Sequence, residues 1–258
     1  MSAQTHQFMC LEDNFGVLIH DPATGATASM DAPEAEPILA ALKEKGWTLT
    51  DILVTHHHND HIGGIPGIKE HFPNARVTAP ASDKARIPGA DNYVNEGDTI
   101  TVGGLSAQII ATPGHTTGHI VYFFDADKLL FAGDTLFALG CGRSFEAPAA
   151  VLYDSCMKLA ALPPETQIFC GHEYTLSNGQ FALKADPANA ALQARMKEIE
   201  ALRAAGKPTL PTQMAVELQT NPFLRAADPA IAANLNMTGA SPAEIFTELR
   251  ERKNKGWS

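Results

Sequence analysis

Apolar and polar positions set two different rhythms along the chain. Over the first 135 residues, NFGVLIHD, GATASMDA, DILVTHH, ARVTAP, DTITVGGLSAQIIATPG, HIVYFFD and KLLFAGDT are runs rich in Val, Ile, Thr and Phe, bounded by Gly, Pro, Asn and Asp. This is the pattern of strands broken by turns. EAEPILAALKEKG and GIPGIKEHF read as helices between strands, the first stopped by Gly46 as a C-cap. Strands alternating with helices, together with hairpin-like pairs, predict an α/β fold of sheets covered by helices rather than an all-β barrel. A helix over residues 149–162 and a last strand, TQIFCGH, follow.

From about residue 175 the texture changes to many alanines and few β-branched runs, which predicts a helical appendage. In DPANAALQARMKEIEALRAAG, Asp186 is the expected N-cap, Pro187 the first helical residue and Gly206 the residue past the end. SPAEIFTELRERK opens with a capping box, Ser241 with Glu244, and has Pro242 in the favoured first position. The expected organisation is a domain over residues 1–173 and a helical domain over 174–258.

Charge narrows the partners. The net charge of −10 excludes nucleic acid or an anionic membrane as the main partner, because both select clustered Lys and Arg. The charge is uneven: residues 174–258 hold ten basic and eight acidic residues, a net of +2, which leaves −12 for residues 1–173. A small acidic substrate is therefore expected at the C-terminal part. No Lys or Arg precedes Lys43 and no apolar run approaches a membrane span, so the expectation is a cytoplasmic chain without leader or anchor. Cys10, Cys141, Cys156 and Cys170 are scattered, with no C-x-x-C spacing, and read as thiols rather than disulfides.

The densest chemistry is THHHNDHIGG, residues 55–64. DILVT is a buried-strand pattern, so His56 emerges at a strand end. His56, His58 and Asp60 are spaced by two, which in an extended loop puts them on one side, while His61 can point elsewhere. Such a set can feed two adjacent metals. Imidazole and carboxylate without thiolate suit Zn(II), and also Fe(II) or Mn(II). The bland reading is a solvated polar turn; this concentration of ligand types at a strand end argues against it. Two metals need further ligands, and three strand ends supply candidates: TPGHTTGH with His115, or His119 as a second choice; LLFAGDT with Asp134; and QIFCGHEY with His172.

The ordered set His-x-His-x-Asp-His, TPGHTTGH, GDTLF and CGHEYT resembles the metallo-β-lactamase superfamily, and within it the hydroxyacylglutathione hydrolases, or glyoxalase II enzymes. The resemblance runs from the first strands to the last helix and includes GCGR at 140–143 and NPFLR at 221–225. It implies an αββα sandwich followed by a small helical domain. It implies that His56, His58 and His115 hold one metal and Asp60, His61 and His172 the other, with Asp134 bridging and His57 and His119 outside. It also implies hydrolysis of S-D-lactoylglutathione and related thioesters by a hydroxide bridging two divalent ions, zinc first. A monomer is a separate expectation. Asp60 and Asp134 have the catalytic role of lowering the charge of the metal pair. Arg143, Tyr174, Arg250 and Lys253 match the glutathione-reading positions, and Phe145 departs from the family's usual Tyr. Arg250 and Lys253, three apart, share a helix face; the bland reading is a solvated basic helix end.

The competing expectations are a persulfide dioxygenase with one iron, a β-lactamase, and a non-catalytic metal-binding scaffold. The complete second ligand set and the helical C-terminal part favour thioester hydrolysis over all three.

Overall fold

The computed structural model describes residues 2–256. The chain divides into two compact units: residues 1–111 with 118–133, and residues 112–117 with 134–258.

The first unit contains β1 (Gln4–Cys10), β2 (Asn14–His20), β3 (Thr27–Met30), α1 (Ala35–Lys45), β4 (Asp51–Leu53), α2 (Asn59–Ile62), α3 (Ile65–His71), β5 (Arg76–Pro80), β6 (Asn92–Val94), β7 (Thr99–Val102), β8 (Leu105–Ala111), β9 (Ile120–Phe124) and β10 (Leu129–Gly133). One sheet runs β1-β2-β3-β4-β5-β6; its first three strands are antiparallel, and β3 to β6 are parallel. The strands β7 to β10 form an antiparallel meander. DTITVGGLSAQIIA is thus a hairpin, with Gly103 and Gly104 at its turn. β2, β9 and β10 are buried on almost every residue, and β8 alternates buried and exposed positions along most of its length.

Helix α1 ends as expected, with Gly46 in the left-handed conformation. Its buried face, Ile38, Ala41 and Leu42, joins Leu18, Ile52, Val54, Ile68 and Val77 in one apolar core. Tyr122, fully buried on β9, donates its hydroxyl to the Val54 carbonyl at 2.9 Å, which satisfies its only polar group. That bond, with the Ile120 amide donating to the Thr55 carbonyl at 3.0 Å, fixes the end of β4 from which the histidine loop departs.

The second unit contains β11 (Leu136–Phe137), β12 (Gly140–Cys141), α4 (Ala149–Ala160), β13 (Gln167–Cys170), α5 (Thr175–Ala185), α6 (Ala190–Ala204), β14 (Thr212–Gln213), α7 (Met214–Thr220), α8 (Pro229–Asn234) and α9 (Pro242–Asn254). β11 and β12 make a tight hairpin, and β13 pairs with β14. Helix α5 packs on α6 through Ala182, Leu192, Met196 and Ile199, and α4 meets α9 through Tyr153 and Phe246. The Ser241–Glu244 capping box on α9 is present as predicted.

Asp186 does not cap α6. It closes α5, and its carboxylate is taken by Arg225 and by the Asn189 amide. Asn189 caps α6 instead, accepting from the Leu192 amide at 3.1 Å. Among the described residues, no helix is long and apolar enough to cross a membrane.

Candidate metal centre

The first unit carries the histidine loop after β4. The extended-loop expectation holds only as far as His58, which is the extended N-cap residue of α2; Asp60 and His61 lie in that helical turn. Their donor atoms converge all the same, with Asp60 Oδ2 lying 3.7 Å from His61 Nε2. The His56 Nε2 and His58 Nδ1 atoms lie 3.0 Å apart, a convergence of two imidazole nitrogens. The other ring nitrogen of His56 lies 3.0 Å from the Thr55 hydroxyl.

His61 Nδ1 sits 2.8 Å from Asp31, whose carboxylate also accepts from the Thr55 amide at 2.7 Å and the Thr55 hydroxyl at 2.8 Å. A carboxylate on Nδ1 fixes the tautomer and orientation that offer Nε2 as a donor atom. Asp60 is half-buried, and Asn14 donates to both its carboxylate and its carbonyl at 3.1 Å. His57 turns aside to the buried Asp83, 3.1 Å away, and His119 stacks at 4.8 Å on the His56 ring. Asp31 was missed in the sequence, although it ends an apolar strand in TASMD just as Asp134 does in LLFAGD.

Gly133 turns the chain out of β10. It has φ of +48°, and a Cβ there would come within 2.7 Å of both His119 Nε2 and the Thr55 hydroxyl. Glycine alone meets both conditions.

The second unit carries its own set, His115, Asp134 and His172, which are all buried. One carboxylate oxygen of Asp134 lies 3.4 Å from His115 Nε2 and 3.3 Å from His172 Nε2. His115 Nδ1 donates to the Arg143 carbonyl at 2.9 Å, so its tautomer is fixed and Nε2 is left to face Asp134. The segment carrying His115 is tied down by the Ser155 hydroxyl donating to the Pro113 carbonyl, and by Thr135 donating to Thr112. At Gly142 a Cβ would lie 2.0 Å from the Asp134 carbonyl oxygen, so only glycine lets these strands pass. Burial pushes the nearby Cys170 thiol well above the ordinary range.

The hairpin between Asp134 and Arg143 is moulded by side chains from the helices. Asn221 donates to the Phe137 and Gly140 carbonyls at 3.2 and 2.9 Å, and Asn178 to Ala138 at 3.0 Å. Glu217 accepts from the Leu139 amide at 2.7 Å. Glu217 is wholly buried; burial raises its carboxyl pKa, against the pull of Arg195 and Thr212.

The expected substrate readers also lie in this unit. Arg143 and Tyr174 are exposed, and Tyr174 stacks on the His172 ring at 4.8 Å. Phe145 is 61% exposed beside His115. Lys253 lies over the Phe181 ring; burial first, then the charges of Arg250 and Arg143, bring its ammonium down to about 8. Arg250 is different, being 3% exposed, with Nη1 on the Cys141 and Gly142 carbonyls.

The donors fit divalent metal chemistry: buried imidazoles with anchored Nδ1 atoms, and carboxylates beside them. Residues 11–172 match the family model of the metallo-β-lactamase superfamily, and residues 173–256 match that of the hydroxyacylglutathione hydrolase C-terminus. Proteins named hydroxyacylglutathione hydrolase from Rhodopseudomonas palustris (strain BisA53) and Nitrobacter hamburgensis are each 56% identical over 255 residues, 99% of this chain and 100% of the relative. Among solved structures, ETHE1 from Myxococcus xanthus superimposes with a TM-score of 0.69 at 28% identity, over 97% of this chain and 91% of that one. TTHA1623 in a di-iron-bound form gives a TM-score of 0.61 at 22% identity, over 86% and 100%.

Proposed function

The chain belongs to the metallo-β-lactamase superfamily and, within it, to the hydroxyacylglutathione hydrolase family, and from that premise we propose that it hydrolyses S-D-lactoylglutathione and related 2-hydroxyacyl-glutathione thioesters. It is a metal-dependent hydrolase with the superfamily's α/β fold and a helical C-terminal domain. The observation that carries the substrate-level reading is the match of residues 173–256 to the hydroxyacylglutathione hydrolase C-terminus; the Asp134 oxygen between the Nε2 atoms of His115 and His172 supports a carboxylate shared by two ions.

We assign His56, His58 and His115 to one ion and Asp60, His61 and His172 to the other, with Asp134 common to both. Zinc is the first choice, and Fe(II) or Mn(II) are the alternatives. Such ions, when bound, supply Lewis acidity and make hydroxide available near neutral pH.

The protein's own groups do the remaining work. Asp31 and the Arg143 carbonyl hold the Nδ1 protons of His61 and His115, and Asp60 and Asp134 reduce the positive charge that the centre accumulates. Arg143, Lys253 and Tyr174, with the charge of Arg250 behind them, receive the carboxylates of glutathione. This orients the thioester, whose carbonyl carbon takes up hydroxide and whose C–S bond then breaks to release the thiolate. Phe145 offers a face without the hydroxyl of the family's usual Tyr. The functional division assigned here is catalysis by residues 1–173 and glutathione recognition by 174–258, in a cytoplasmic monomer whose four cysteines are free thiols.

The test is kcat/KM for S-D-lactoylglutathione on protein whose Zn, Fe and Mn are quantified in the same sample. About 10⁴ M⁻¹s⁻¹ or more, with close to two ions per chain, supports the reading. Negligible turnover with both ions present would overturn the substrate while leaving the centre.

A further inference from the structure

Arg250 carries a full charge yet is 3% exposed, and its partners are carbonyl oxygens, an amide and a thiol. Nη1 donates to the Cys141 carbonyl at 2.8 Å and to the Gly142 carbonyl at 3.3 Å, and lies 3.9 Å from the Cys141 sulfur. Nε donates to Asn254 at 3.1 Å, and the guanidinium lies over the Phe223 ring at 5.3 Å. A guanidinium held on three sides in this way is a brace, because its planar fork fixes whatever it binds.

What it binds is the base of the hairpin. Gly142, the second braced residue, returns its amide to the Thr135 carbonyl at 3.1 Å and passes so close to Asp134 that no side chain fits. The next carbonyl, that of Arg143, accepts from His115 Nδ1. Two peptide units braced by one nitrogen therefore end on the group that sets the tautomer of His115 and the aim of its Nε2 at Asp134. We propose that Arg250 is a positioning residue for the metal ligand His115, acting through the Cys141–Arg143 backbone, besides any charge it lends to substrate recognition.

This rests on the assignment of His115 to a bound ion, and the experiment separates the two claims. Zn(II) affinity is measured by competition with a chromophoric chelator for the wild-type protein and for Arg250→Met, Arg250→Gln and Arg250→Lys, with Tm and the KM and kcat values recorded in parallel. Wild type is expected to hold two ions. Loss of a partner outside the ligand shell weakens metal binding by about 10- to 100-fold, and the more remote Arg250 is expected at the low end. Arg250→Met therefore holds one of its two ions about tenfold more weakly, with a lower kcat. Arg250→Gln, whose amide is too short to reach both carbonyls, behaves alike and carries the test if the Met variant does not fold. Arg250→Lys keeps a cationic donor and recovers most of the affinity.

A rise in KM alone, with both affinities within twofold of wild type, makes Arg250 a substrate reader and overturns the proposal. A fall in Tm with unchanged affinities makes it a packing residue and also overturns it. A wild-type protein that takes up fewer than two ions sinks the dinuclear reading itself, and this inference with it.

Discussion

The histidine loop after β4 and the hairpin after β10 both present metal donors at strand ends, but they are held in opposite ways. In the first, His56, His58, Asp60 and His61 are neighbours in sequence, and one residue from the adjacent parallel strand's end, Asp31, anchors both Thr55 and His61. In the second, His115, Asp134 and His172 are 19 and 38 residues apart. They are brought together by a hairpin whose backbone groups are met by Asn178, Glu217, Asn221 and Arg250. A ligand cluster can thus be written locally, with a few outside anchors such as Asp31 and Asn14, or assembled from distant positions around a two-pair hairpin whose remaining backbone groups are met by polar side chains.

The largest expected effect tests whether the two sets serve one chemistry. Asp134→Ala is expected to lower kcat/KM by about 10³-fold, about 4 kcal/mol of barrier, and His58→Ala to lose metal and activity together. Metal analysis and steady-state kinetics on the same samples check both. Full metal and full activity in either variant would remove that residue from the ligand set and break the symmetry of the comparison.

Next comes the anchor. Asp31 has φ of +56°, a conformation that Asn tolerates, so Asp31→Asn removes the carboxylate charge without backbone strain. It is expected to weaken Zn(II) binding by about 10-fold, read by chelator competition. An unchanged affinity would mean that the charge of Asp31 does not support the histidine loop.

A smaller effect is set by pH on the hairpin side. The Lys253 ammonium titrates near 8 in the folded protein, below its ordinary value, because burial and the Arg250 and Arg143 charges disfavour the proton. As pH rises through about 8 the charge that attracts a carboxylate is lost, so KM for the glutathione thioester is expected to rise about fivefold between pH 7 and 9, consistent with one charge-assisted hydrogen bond. Lys253→Met flattens that profile; a wild-type KM constant over this range removes Lys253 from recognition. The stability sign is opposite. Above about 8 the unfolded chain binds more protons at this lysine than the folded one, so its contribution to stability rises with pH up to about 10.4.

The smallest effect is Phe145→Tyr. A neutral hydrogen bond of about 0.5–1.5 kcal/mol corresponds to a two- to tenfold fall in KM, with kcat unchanged. A KM equal to that of the wild type would mean that the exposed ring at this position does not meet the substrate.

The same contrast explains what the sequence could disclose. THHHNDHIGG, the strand-end Asp134 and the Ser241–Glu244 capping box were legible because spacing of a few residues decides their geometry. Asp31 was legible by the same strand-end logic and was overlooked. Asp186 misled because its preference for an N-cap is a local propensity, and Arg225 and Asn189 claim its carboxylate from elsewhere. The burial of Arg250 was not legible. On a helical wheel it sits with Lys253 on a basic face, and the carbonyls of residues 141 and 142, 109 and 108 positions away, give its charge a reason to turn inward.

The hairpin has one more consequence, for recombination. It lies within the stretch matched by the superfamily model, residues 11–172, while Asn178, Glu217, Asn221 and Arg250 lie in the stretch matched by the other, residues 173–256. A crossover at that seam between distant homologues would separate acceptors from their donors. Parental tails can be exchanged freely only where those four side chains travel with a compatible hairpin, so the two segments are expected to be inherited as a pair.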